Sequence, residues 1–129
     1  MKALKKTLPF IVLLAILLCL SWQSESTLTS KNTIVLVKYK TQPDKSVEAI
    51  NNLTILIEEV KKEPHFVSIK LHVDPKDPTN ILLYEEWLDA SYYEYAHMKT
   101  PHIQQFIANA KNFLAGPPEI SLWQLEKEF

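Results

Sequence analysis

Residues 65–88 read HFVSIKLHVDPKDPTNILLYEEWL. In the first nine, Val67, Ile69, Leu71 and Val73 point one way, and Ser68, Lys70 and His72 point the other. That two-residue repeat is the pattern of a half-buried strand. DPKDPTN, residues 74–80, is turn chemistry, with proline, aspartate and asparagine and no apolar residue. ILLYEEWL, residues 81–88, is a second strand. Together they predict an antiparallel hairpin with a long loop. Alternation places Ile81, Leu83, Glu85 and Trp87 on one face of the second strand.

On the N-terminal side, residues 33–40, TIVLVKYK, are rich in β-branched residues and read as a strand. The Gln42-Pro43-Asp44 turn follows, with Asp44 placed to cap a helix. Val47, Ile50, Leu53, Ile57 and Val60 recur at steps of three and four, which predicts one apolar helical face. Lys61 and Lys62 suit the negative end of the helix dipole, and Pro64 stops the helix. On the C-terminal side, Asp89-Ala90-Ser91 opens a helical region that runs to about Met98. Pro101 interrupts it, and residues 102–114 restart a helix whose apolar face is Ile103, Phe106, Ile107, Ala110, Phe113 and Leu114. Gly116-Pro117-Pro118 ends that piece, and residues 120–129 form a last strand. The order is β-α-β-β-α-β with the second helix broken. This is an α+β, ferredoxin-like arrangement, an antiparallel sheet with helices on one face. Trp123 and Gln124 lie on opposite sides of the last strand, each next to a leucine. The open face of the sheet is therefore also apolar, and a second copy of the chain is expected to cover it as a homodimer.

The beginning of the chain has a different character. Lys2, Lys5 and Lys6 precede an apolar run, LPFIVLLAILLCL, at residues 8–20, and SWQSESTLTS follows. A basic, then apolar, then small-polar order describes a secretory signal. The run is shorter than the ~20 residues of a bilayer span. Residues 1–26 are expected to be a signal peptide, with Ser24 and Ser26 as a small-x-small cleavage site, or else an N-terminal anchor. Residues 27–32 are a short linker, and 33–129 form the domain. The expected location is periplasmic or extracellular, with membrane contact only through 1–26 if that segment is retained. The single cysteine, Cys19, lies inside the apolar run behind a bulky Leu18, which argues against lipidation and leaves the domain without disulfides. A net charge of −1 gives no electrostatic reason for nucleic acid as a partner. With one glycine, Gly116, the chain has no phosphate-cradling loop, which argues against nucleotide cofactors.

Residues 84–106 read YEEWLDASYYEYAHMKTPHIQQF. Tyr84, Glu85, Trp87, His97, Thr100, Pro101, His102 and Phe106 match, at fixed spacing, a strand Tyr-Glu-x-Trp, a short helix ending in His, and a Ser/Thr-Pro-His segment leading to Phe. The whole resembles the signature of the antibiotic biosynthesis monooxygenase family. The resemblance implies a dimeric α+β barrel with a pocket in each subunit between its sheet and helices. It implies a cofactor-independent monooxygenase that oxidises a quinol or similar small aromatic, with O2 as co-substrate. His97 would be the catalytic base, since histidine titrates near neutrality. Trp87 would be a pocket wall, with Tyr84, Glu85, His102 and Phe106 in support. Haem-degrading relatives use a Trp and a His at this spacing plus an Asn on the first strand. Lys38 stands near that Asn position, so the third member is missing, which argues against haem. Lys38 is instead a candidate partner for an anionic phenolate.

Simpler roles stand beside these. His97 also suits a helix C-terminus, Trp87 a core, His102 a helix start and Glu85 a strand-face ion pair. His97 and His102 are five apart with a proline between, which does not place both rings on one helical face, so no metal is expected. Neither a GxSxG nor a Cys-His arrangement is present. Asn52-Leu53-Thr54 matches the glycosylation pattern but falls inside a helix. Three alternatives remain: an isomerase on the same fold, which would consume no dioxygen, a haem-degrading relative of that fold, and a non-catalytic exported binding dimer.

Overall fold

The structure, a computed structural model, describes residues 31–129. The signal or anchor segment, with Cys19, and positions 27–30 of the linker lie outside the described residues. The elements are β1 (Thr33–Lys40), α1 (Ser46–Val60), β2 (Phe66–Val73), β3 (Asn80–Trp87), a π-helical turn (Tyr92–Ala96), a 3-10 turn (His97–Lys99), α2 (Pro101–Asn109), a second 3-10 turn (Ala110–Asn112) and β4 (Glu119–Gln124). The four strands form one antiparallel sheet in the order β2-β3-β1-β4. This is the expected α+β, ferredoxin-like fold.

The strand pattern fixes which residues face the helices. Val35, Val37 and Tyr39 of β1 lie opposite Glu85, Leu83 and Ile81 of β3, and all six are buried. Burial alternates along β1, with Val35, Val37 and Tyr39 buried, Ile34 and Leu36 half-buried, and Lys38 and Lys40 exposed. Ile34, Leu36, Leu82, Tyr84 and Trp123 occupy the opposite face. Trp123 is 58% exposed there, so this face is apolar and uncovered by the described chain. No described helix is long and apolar enough to cross a membrane.

Four local expectations are corrected. First, α1 buries Ala49, Leu53, Leu56 and Val60, while Val47 is 72% exposed. Ala49 completes a 4-3-4 spacing that rotates the stripe, leaving Ile50 and Ile57 half-buried on its flank. Second, Asp44 does not cap α1. It takes a left-handed φ of 61°, and Lys45 precedes the helix without a side-chain cap bond. Aspartate is among the few non-glycine residues that tolerate this region. Third, β2 carries a bulge. Phe66 pairs with Trp87 and Ser68 with Glu86, so Val67 is the extra residue and turns outward. His65 stands before the strand at a φ of 67° and makes the corner after Pro64. The last strand is also shorter than expected, ending at Gln124.

The interrupted second helix has a clear local cause. Asp89 Oδ1 accepts the backbone N–H groups of Ser91 at 2.8 Å and Tyr92 at 3.2 Å, which starts the turn. The His97 N–H reaches back five residues to the Tyr92 carbonyl, the spacing of a π-helix. Thr100 is extended, as the residue before a proline prefers, and Pro101 opens α2 at its first position.

Candidate active site

Between the buried sheet face and the helices lies a cavity of about 790 Å³. Its walls are largely apolar, with Val37 and Leu83 from the sheet, Leu56 and Val60 from α1, and Ile103 and Phe106 from α2. Polar side chains also enter this lining, Gln42 and Lys111 among them, with Tyr39 from β1, Glu85 from β3, Tyr93 from the π turn and His97 from the 3-10 turn after it. Their placement follows from periodicity. Tyr39 continues the Val35–Val37 face, Glu85 continues the Ile81–Leu83 face, and Tyr93 and His97 are four apart on one side of the helical segment.

His97 is 4% exposed. Its ring stacks on Tyr93 at 4.9 Å between centroids and lies 4.8 Å from the Trp87 ring. Its Nδ1 stands 2.9 Å from Glu63 Oε2. A carboxylate only accepts hydrogen bonds, so Nδ1 carries the proton and Nε2 keeps its lone pair. Nε2 has no hydrogen-bond partner among the described residues. Burial holds the His97 pKa below the ordinary histidine value, against the pull of the Glu63 carboxylate, and His102 adds to the lowering. His97 is therefore a neutral imidazole with a free basic nitrogen at a cavity wall.

Glu63 organises this side of the site. It follows α1, its side chain is buried, and it also accepts hydrogen bonds from His102 Nε2 and from the Tyr92 hydroxyl, the latter at 3.1 Å. Glu85 is the other buried acid, 4% exposed. Trp87 Nε1–H donates to its Oε2 at 2.9 Å. Burial pushes the Glu85 pKa up to about 7, with the indole donor opposing and Glu63 reinforcing that rise. Burial also raises the hydroxyl pKa values of Tyr39 and Tyr93, each with a contribution from Glu85. Both tyrosines are therefore neutral hydrogen-bond donors at any ordinary pH.

Several expectations change in detail. Trp87 and His97 do share one environment, but Trp87 is not a wall of the cavity. The indole is fully buried behind it, packed on Phe66, Tyr93 and His97. It serves as core and as the donor that orients Glu85. Phe106 lines the cavity as expected. His102 does not; it is held by Glu63 with 22% of its side chain exposed. Tyr84 and Lys38 lie on the opposite sheet face, because alternation turns them away from Glu85 and Val37. There the Lys70 ammonium sits 5.5 Å over the Tyr84 ring. Lys38 lines a separate hollow of about 490 Å³ with His72 and Glu119, so it is not placed to meet a phenolate beside His97. Glu63, Tyr39 and Tyr93 were missed. Tyr39 and Tyr93 were readable from the strand and helix repeats. Glu63 carried no signal, because its partners lie more than one element away. Among the described residues, no group of three His, Cys, Asp or Glu side chains is arranged to hold a metal ion.

The model of the antibiotic biosynthesis monooxygenase family matches residues 33–109, from β1 through the whole of α2. The chain belongs to the antibiotic biosynthesis monooxygenase family. An uncharacterized Synechocystis protein is 28% identical over 92 residues, which cover 71% of this chain and 62% of that protein. The present family member thus spans under two thirds of that relative's length. A conserved protein from Methanosarcina mazei has a similar solved structure, with a TM-score of 0.68 at 23% identity over 75% of this chain and 95% of that one. A crystal structure of an antibiotic biosynthesis monooxygenase matches with a TM-score of 0.66 at 21% identity, covering 74% of this chain and 99% of the other. At these identities the likeness establishes the shared fold.

Proposed function

We propose that this family member oxidises a phenol or quinol with dioxygen, using His97 as the base. The observation that carries this is the juxtaposition of an imidazole nitrogen without a hydrogen-bond partner among the described residues and an apolar cavity of about 790 Å³, a volume suited to a small aromatic molecule. His97 Nε2 takes the phenolic proton, and the resulting phenolate is electron-rich enough to give an electron to O2. A carbon–oxygen bond then forms at a ring carbon, and the oxygen–oxygen bond breaks. One oxygen stays as a carbonyl, and the other leaves as water with the proton returned by His97 and the hydrogen of that ring carbon. The electrons come from the substrate, so no redox cofactor enters the scheme. Apolar walls keep bulk water from the reduced oxygen intermediate.

The sequence signal at residues 1–26 supports a site of action outside the cytoplasm, either free or anchored by that segment. The apolar sheet face around Trp123 supports a homodimer closed across that surface. Oxygen consumption with a panel of quinols tests the activity. Uptake by the wild-type protein that falls at least a hundredfold in His97→Ala supports the assignment, in line with the roughly 10²–10⁴-fold contribution of a general base. Uptake that survives unchanged in that variant removes His97 from the chemistry.

A further inference from the structure

Glu85 is a buried acid whose second oxygen is unclaimed. Oε2 accepts the Trp87 indole N–H, while Oε1 has no hydrogen-bond partner among the described residues. No described buried side-chain polar atom is both sealed in and unpartnered, and Glu85 lines the cavity, so Oε1 opens on the cavity. The same reasoning opens the Tyr93 hydroxyl on that space. The ionisable groups that act on Glu85 or feel it are Glu63, Tyr39 and Tyr93, and none is a cation. Among the described residues Glu85 has no salt-bridge partner, and the lysine in the cavity lining, Lys111, makes none with it.

We propose that Glu85 selects the substrate: the aromatic ligand carries a hydrogen-bond donor, a hydroxyl or an amine, on the end that meets Oε1, and ring carboxylates are rejected. A buried carboxyl with one free oxygen has a place for a donor hydrogen or a positive charge. A second carboxylate brought beside it would find a like charge in a poorly solvated site. This inference rests on the small-aromatic reading of the cavity and deepens it. The donor requirement is steep, because leaving a buried polar group unpaired costs more than a missing apolar contact.

Anaerobic calorimetric titration tests it without any turnover. The probes are three phenols of matched size bearing, opposite the hydroxyl, a hydroxymethyl, an aminomethyl or a carboxylate group. At pH 8, where Glu85 is mostly ionised, the hydroxymethyl and aminomethyl compounds are expected to bind the wild-type protein at least about tenfold more tightly than the carboxylate, the ratio that ~1.4 kcal/mol gives. Glu85→Gln is expected to shrink that gap to about twofold, since the amide keeps the shape and removes the charge. If that variant does not fold, the wild-type protein serves alone. The aminomethyl compound should then gain about tenfold in affinity over the hydroxymethyl compound from pH 6 to pH 8, as Glu85 ionises. A carboxylate that binds equally well, a gap that persists in Glu85→Gln, or a failure of all three to bind overturns the proposal. Oxygen uptake on quinols is read separately, so loss of the selectivity claim and loss of the oxidation claim give different results.

Discussion

Glu63 accepts a hydrogen bond from His97 Nδ1 at 2.9 Å, although the two residues are 34 positions apart and belong to different segments. One carboxylate thereby sets the tautomer of the imidazole that meets the cavity, and it holds His102 and Tyr92 on its remaining lone pairs. Glu63 is a positioning residue, with no cavity contact of its own.

Glu63→Gln is expected to lose about 1–3 kcal/mol of stability in urea denaturation, because an amide cannot accept from all these donors at once. The same change removes a group that raises the His97 pKa. His97 becomes a weaker base, and its nitrogen NMR signals should shift toward a mixture of tautomers. An unaltered His97 spectrum in this variant would detach Glu63 from the site.

The pH dependence of the proposed oxidation follows from the same ring. Burial lowers the His97 pKa from its ordinary 6.5, so the base stays neutral as pH falls into mildly acid conditions. The acid limb of the kcat/KM profile should therefore have its midpoint below 6.5. A midpoint above that value contradicts the burial argument.

Glu85 makes an opposite contribution to stability. Its pKa rises from 4.5 to about 7 on folding, so between those values the folded chain binds the proton more tightly than the unfolded one. That contribution is neutral below pH 4.5, becomes steadily more destabilising as pH rises through 7, and is constant above it. The full effect is on the order of 3 kcal/mol. Glu85→Gln should accordingly be more stable than the wild-type protein at pH 8 and close to it at pH 5, as read by denaturant midpoints. Equal stability differences at both values would show that the carboxyl is solvated.

Core positions on α1 and β3 separate from their exposed neighbours. Leu53→Ala should cost ~2–5 kcal/mol and Trp87→Ala ~3–5 kcal/mol, since both side chains are fully buried. Val47→Ala should change stability by under ~0.5 kcal/mol, because that side chain faces water. Thermal unfolding of the three variants checks the helix rotation directly; a costly Val47→Ala would restore the stripe read from sequence.

Most of the sheet was legible in the sequence because the two-residue repeat is short and local. Thr33–Lys40 and Asn80–Trp87 appear within a residue of where their β-branched and aromatic runs place them. Errors arose where a single residue carries the geometry. Val67 looks like a core residue until the bulge beside it is known, and Val47 and Ala49 both fit three-and-four spacings that share Leu53 and Val60, so spacing alone does not fix the rotation of the stripe. In the site, His97, Glu85 and Phe106 were legible through the family pattern and do meet at the cavity. Glu63 was not, since no periodicity joins the end of one helix to a ring on another segment. For Trp87 the strand repeat fixes the sheet face, while only packing decides between pocket wall and core, and here the indole lies in the core.

The wide turn at Tyr92–Ala96 leaves the whole arrangement sensitive to length as well as composition. A π-helical turn holds about one residue more than an α-helical one. Winding the same residues into the tighter coil would carry the imidazole roughly 100° farther about the axis, the angle one residue subtends, whereas an α-helical turn one residue shorter would bring it back to the same Tyr92 carbonyl. A sister protein with an ordinary α turn here would therefore need one residue fewer between Asp89 and His97 to aim its ring the same way, so counting the residues of that stretch is a more telling check than matching their identities.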